Sequence, residues 1–106
     1  MVDANTDIRI RTISDEGVRA KLAGTPLEGA LDKFMALAAQ YQIDPNWALS
    51  YLQWESGFGG LSPAPSNPWD ILCASGNWGQ VDCLTTSIGY SYAVYPDLDT
   101  GLQAGF

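Results

Sequence analysis

Glu55 closes a segment, Pro45 to Glu55, that has the marks of a helix, and its position makes it the first candidate for chemistry. At about 100° per residue, Ala48, Tyr51 and Leu52 share one face of that helix, while Asn46, Ser50 and Gln53 lie opposite. Glu55 then falls in the middle of the apolar face. A carboxyl group there is costly to ionise, so its pKa is expected to rise above the ordinary glutamate value of ~4.3. The negative end of the helix dipole acts in the same direction. A carboxylic acid still partly protonated near neutral pH is what protonation of a glycosidic oxygen requires. The same spacing also fits a structural glutamate that bonds loop amides behind Gly57, or one that reaches solvent from a frayed helix end.

The chain contains no histidine, which removes the usual base of serine and cysteine triads and leaves carboxylates and tyrosines for proton transfer. With two cysteines as the only other soft ligands, a tetrahedral zinc site is hard to build, and no metal or organic cofactor is implied. Cys73 and Cys83 have nine residues between them and are read as a disulfide, which implies an oxidising compartment. The alternative is two unconnected buried thiols.

Twelve acidic residues against five basic ones give a net charge of −7. The bases are Arg9, Arg11, Arg19, Lys21 and Lys33, so residues 34–106 carry no positive side chain. Such a surface disfavours nucleic acid and anionic lipid, both of which are held through Lys and Arg. No apolar run approaches the ~20 residues of a membrane helix, so membrane insertion is not expected. Met1 opens a polar stretch, as expected of a mature domain or a piece of a longer, multidomain protein. With 106 residues, 46% of them hydrophobic, the chain suits one core.

The elements that must position Glu55 follow from local signals. Thr25-Pro26-Leu27-Glu28 carries both ends of a capping box, and Leu27, Ala30, Leu31, Phe34, Leu37, Ala38 and Tyr41 extend one apolar stripe to about residue 42. Asp44-Pro45 opens the second helix and Ser56-Gly57 stops it. Residues 7–13 alternate like a short edge strand, and residues 1–24 are set apart as an N-terminal extension. From Gly57 to Pro96 loops are expected, with a small hairpin around Cys73 to Cys83 and a strand at Tyr90–Tyr95. Asp97 is expected to cap a closing helix with Leu98, Leu102 and Phe106 on one face, with Asp99 in its first turn. The pattern is still helical at the last residue, which suggests that the natural chain continues.

Three blocks in order, Tyr51-Leu-Gln-Trp-Glu55-Ser-Gly-Phe-Gly59, Asn67-Pro-Trp-Asp-Ile71 and Tyr92-Ala-Val-Tyr95-Pro-Asp-Leu-Asp-Thr-Gly-Leu102, resemble the glucosaminidase family of bacterial cell-wall hydrolases. The resemblance covers about residues 34–106 and implies a mainly α (α+β), lysozyme-like fold with a small loop or β-hairpin lobe. It assigns Glu55 as catalytic acid, Tyr95 as an active-site tyrosine, and Asn67, Trp69 and Ile71 as support for the cleft floor. The segment Asn67-Pro68-Trp69-Asp70 differs from the family's more usual Asn-Asn-Leu-Phe-Gly.

A second carboxylate is generally needed for hydrolysis. Asp82, between the cysteines, leads; Asp70, Asp97 and Asp99 compete, and the substrate's N-acetyl group could replace all of them. Trp69 and Trp78, in loops flanking the expected cleft, are the candidates to stack on sugar rings, with Asn67 and Tyr92 as further binding residues. Trp47 and Trp54, on the helix, are assigned to packing. The resulting expectation is a secreted or cell-wall-associated glycosidase acting next to N-acetylglucosamine in peptidoglycan or a related glycan. A lytic transglycosylase and a non-catalytic glycan-binding module are the alternatives. The acidic surface suggests targeting by another domain or a neutral glycan as substrate.

Overall fold

The computed structural model describes residues 7–106. Its elements run α1 (Asp15–Leu22), α2 (Leu31–Gln40), α3 (Pro45–Ser56), β1 (Asp82–Thr85), β2 (Ser91–Val94) and α4 (Leu98–Ala104), with a 3-10 turn at Glu28–Ala30 leading into α2. Among the described residues the architecture is mixed α+β, with four helices and one two-stranded antiparallel sheet.

Both ends of α3 are set by local chemistry. Asp44 Oδ1 accepts from Asn46 N at 3.0 Å, and Pro45 sits in the first turn, where its missing N–H costs nothing. At the other end Gly57 adopts φ 56°, and Gly57 N and Phe58 N donate to Gln53 O at 3.0 Å and Leu52 O at 3.3 Å. Asp44 is buried and also accepts from Thr12 N at 3.1 Å and Thr12 Oγ1 at 2.6 Å, which ties the N-terminal segment to α3.

That segment differs from the expected strand. Ile10 N donates to Asp7 O at 3.1 Å and Arg9 N to Asp7 Oδ1 at 3.0 Å, so residues 7–10 form a turn. A short Asp side chain that bonds nearby backbone offers an alternative to a strand ladder, and here it wins. Helix α1, capped by Ser14 at Gly17 N, has no counterpart among the expected elements. Its Val18 and Leu22 join Leu27, Phe34, Leu37, Leu49, Leu52, Trp69 and Leu102 in one core cluster. Each such buried side chain contributes roughly 1.5–3 kcal/mol.

The hairpin lies later than expected. β1 pairs with β2 in the register Cys83↔Ala93 and Leu84↔Tyr92, so only the start of its first strand falls within the cysteine segment, while Cys73 N donates to Ser91 O of β2 at 3.0 Å. Between the cysteines, Gly76 and Gly79 take positive φ and fold residues 74–80 into successive turns. Cys73 and Cys83 form the disulfide, with Cα atoms 5.6 Å apart. No described helix is long and apolar enough to cross a membrane.

Candidate active site

The buried positions of α3 are Pro45, Ala48, Leu49, Leu52 and Ser56. Around the helix these centre on the Leu52–Ser56 side, so Glu55 stands at the edge of the buried face rather than at its centre, and it is half-buried. Counting Tyr51 as core caused the difference: it is 46% exposed. Glu55 makes no hydrogen bond with any described side chain or backbone group.

Ser56, the next residue, organises the surroundings. Its buried Oγ donates to Pro68 O at 2.5 Å and accepts from Gly59 N at 2.8 Å, binding the end of α3 to the loop that follows. The Tyr51 ring packs on Trp69 with centroids 5.8 Å apart. Between them these contacts draw segment 67–70 against the last turns of α3. The loop holds Phe58, Ser66 and Asp70 at positive φ (59°, 57° and 53°), a backbone region that side chains seldom occupy and that clusters at functional sites.

Asp70 lies on the floor segment that Ser56 and Tyr51 hold against α3. Burial pushes its pKa up, the Ser62 hydroxyl pulls the other way, and the negative charge of Glu55 raises it further. Its Oδ1 is buried without a hydrogen-bond partner among the described residues. Asp82, favoured from sequence as the second carboxylate, is exposed on β1 and accepts from its neighbour Cys83 N at 2.8 Å. No hydrogen bond joins it to Glu55 among the described residues.

Several expected binding residues serve the scaffold instead. Asn67 is buried; its Nδ2 donates to Ile71 O and Ala93 O, both at 2.9 Å, and its Oδ1 accepts from Ile71 N at 2.9 Å. No hydrogen remains on that amide for a substrate, but the bonds do fasten the floor segment to β2. Trp69 is 6% exposed, and its indole N–H donates to Leu102 O at 2.8 Å, so its face is closed to a sugar ring. Tyr95 is buried, with its pKa pushed up by that burial, and its ring lies over Gly79 and Gly101. Tyr92 is half-buried on β2, and Trp78 is 57% exposed in the disulfide-closed loop.

Trp54, expected to pack, instead lies open to solvent. It is 82% exposed and directly precedes Glu55; one turn back on the same helix the Trp47 and Tyr51 rings pack at a tilt, centroids 5.6 Å apart. A signal existed: at about 100° per residue Trp54 falls next to Ser50, off the apolar face.

No family model, curated protein or solved structure matches this chain. The chemistry of the site itself carries the functional reading.

Proposed function

We propose that this chain is a lysozyme-like glycosidase domain that hydrolyses a β-1,4 bond next to N-acetylglucosamine in peptidoglycan, with Glu55 as general acid. The observation that carries this reading is the combination at the end of α3: a half-buried glutamate, a carboxyl group, Asp70, on the floor segment packed against that helix, and the exposed ring of Trp54 next to Glu55 in the chain. Exposed indole and phenol faces suit the apolar faces of sugar rings. The three sequence blocks of the glucosaminidase resemblance lie on α3, the floor segment and the β2–α4 stretch, which pack on one another through Ser56, Asn67 and Trp69.

In this reading Glu55 gives its proton to the bridging oxygen as the bond from the anomeric carbon to that oxygen breaks. Positive charge builds on the sugar ring and is met by the N-acetyl carbonyl oxygen or by a carboxylate. Water then adds to the anomeric carbon and returns a proton to the site. The disulfide supports a secreted or cell-wall location, and the net charge of −7 supports delivery to an anionic wall by another domain of a larger protein.

The test is incubation of the parent and Glu55→Gln with purified peptidoglycan and chitin oligosaccharides, reading reducing ends and product masses. Reducing N-acetylglucosamine ends from the parent alone are expected. Anhydro products would move the chain to the lytic transglycosylases. A folded parent that binds glycan without turnover would replace the hydrolase reading by a binding module.

A further inference from the structure

We infer that the outer edge of β1 is an interface for a second copy of this chain, and that Asp82 holds it shut by occupying the Cys83 N–H. The bonding pattern of the hairpin shows which groups face outward. Ala93 N donates to Ile71 O at 2.9 Å and Cys73 N to Ser91 O at 3.0 Å, so residues 71–73 run along one side of β2. On the other side Thr86 N donates to Tyr90 O at 2.8 Å, in line with the pairs Leu84↔Tyr92 and Asp82↔Val94. Antiparallel bonding alternates along a strand, which turns the backbone groups of Cys83 and Thr85 away from β2. All four residues of β1 are exposed, and no other described segment pairs with that outer edge. The outward N–H of Cys83 is instead taken by Asp82 Oδ1, at 2.8 Å.

An open edge of this kind is a template for an extended strand, and the chain itself supplies one that fits. Two β1 strands laid antiparallel about a two-fold axis at Leu84 let Cys83 of each copy exchange bonds with Thr85 of the other. Side chains directly opposed across a sheet share a face, so Leu72, Tyr92 and Leu84 already form one apolar row across the ribbon. Pairing brings the two Leu84 side chains together and doubles the length of that row. In the same register Asp82 falls opposite Thr86 of the second copy, so the two acids do not face each other. That matters in a chain of net charge −7 with no cation after Lys33. Leu72, Val81, Leu84, Ile88 and Tyr90 are all exposed, which gives this end of the molecule the apolar surface that marks an interaction site. A charged acceptor on an edge N–H makes a strong bond, and charge on an edge strand guards it against pairing, so the parent stays single.

Sedimentation velocity over a concentration series tests this with the parent, Asp82→Ala and the double variant Asp82→Ala/Thr85→Pro, with circular dichroism to verify the fold. Asp82→Ala is expected to form a dimer at least about tenfold more tightly than the parent, since it frees the Cys83 N–H and removes the guarding charge. The double variant is expected to return to monomer, because proline deletes the outward Thr85 N–H and leaves the β1–β2 bonds in place. Amide hydrogen exchange at Thr85 should slow in the Asp82→Ala dimer. Should Asp82→Ala lose the fold, Asp82→Asn, which keeps the shape without the charge, carries the same comparison. An Asp82→Ala protein that stays monomeric would overturn the interface. A parent that associates as tightly would remove Asp82 as its guard, and a double variant that still dimerises would place the contact elsewhere; either result sinks the inference. No turnover enters the readout, so the glycosidase reading stands or falls separately.

Discussion

The indole N–H of Trp69 donates to the carbonyl oxygen of Leu102 at 2.8 Å, so the residue before Asp70 is fastened to the middle of α4. Trp69 also packs edge-on against Phe106 and at a tilt against Tyr51, with centroids 5.4 and 5.8 Å away. One buried side chain thereby links α3, the floor segment and the last helix.

This close approach depends on glycine. A Cβ on Gly101 would lie 1.6 Å from Ser66 O, a backbone atom that cannot rotate away. Gly101→Ala is expected to destabilise the fold by about 3 kcal/mol or more, since overpacking of this kind usually costs ~1–3 kcal/mol even against side chains. Thermal unfolding followed by circular dichroism measures it. An unchanged Tm would mean that α4 does not meet residue 66 this closely.

Trp54 separates binding from stability. It is 82% exposed, so Trp54→Ala should leave the unfolding midpoint within about 0.5 kcal/mol of the parent. Affinity for chitin oligosaccharides should fall by about three- to tenfold, the worth of roughly 1 kcal/mol of stacking. Calorimetric titration reads the loss, and equal affinity would remove Trp54 from the binding surface.

Asp44 is both the cap of α3 and the acceptor for Thr12, so its loss breaks more than one bond. Asp44→Ala is expected to cost about 2 kcal/mol or more, above the ~1 kcal/mol of a simple cap, because Thr12 N and Oγ1 lose their partner too. Urea unfolding of the parent, Asp44→Ala and Thr12→Ala would show the coupling; additive effects of the two variants would argue against it.

The pH dependence of stability should carry two opposite signatures. Hydrogen bonds from the Thr100 side chain and backbone hold the Asp97 pKa down, with Lys33 adding a smaller pull. Stability from Asp97 is therefore present above the unfolded value of ~3.9 and lost as pH falls through the lower folded value. The Asp70 pKa is raised, first by burial, so its stability is full below ~3.9 and lost as pH rises through the higher folded value. Asp97→Ala should thus be most destabilising near neutral pH and harmless in strong acid. Asp70→Asn should instead gain on the parent as pH rises past about 4. Denaturation at a series of pH values checks both signs, and a neutral-pH loss in Asp70→Asn would contradict the strain and desolvation at that position.

Sequence alone determined the parts of this protein that depend on near neighbours. Asp44-Pro45 and Ser56-Gly57 mark the ends of α3, and Asp97 marks the start of α4, because a cap is a bond between residues two or three apart. The cysteine pairing was also legible, since Cys73 and Cys83 are the only two in the chain. Residues 7–13 misled because alternation suits a turn as well as a strand, and α1, with Gly17 and few apolar residues, is held by Val18 and Leu22 reaching the core. Only the tertiary structure decided which aromatic rings face water, closing Trp69 under α4 and leaving Trp54 open. It also placed Asp70 on the floor segment packed against α3, while Asp82 stands exposed on β1. The floor segment is held against α3, β2 and α4 by Ser56, Asn67 and Trp69 bonding across three elements. Such long-range bonds form only when the whole core closes, so no local pattern announces them.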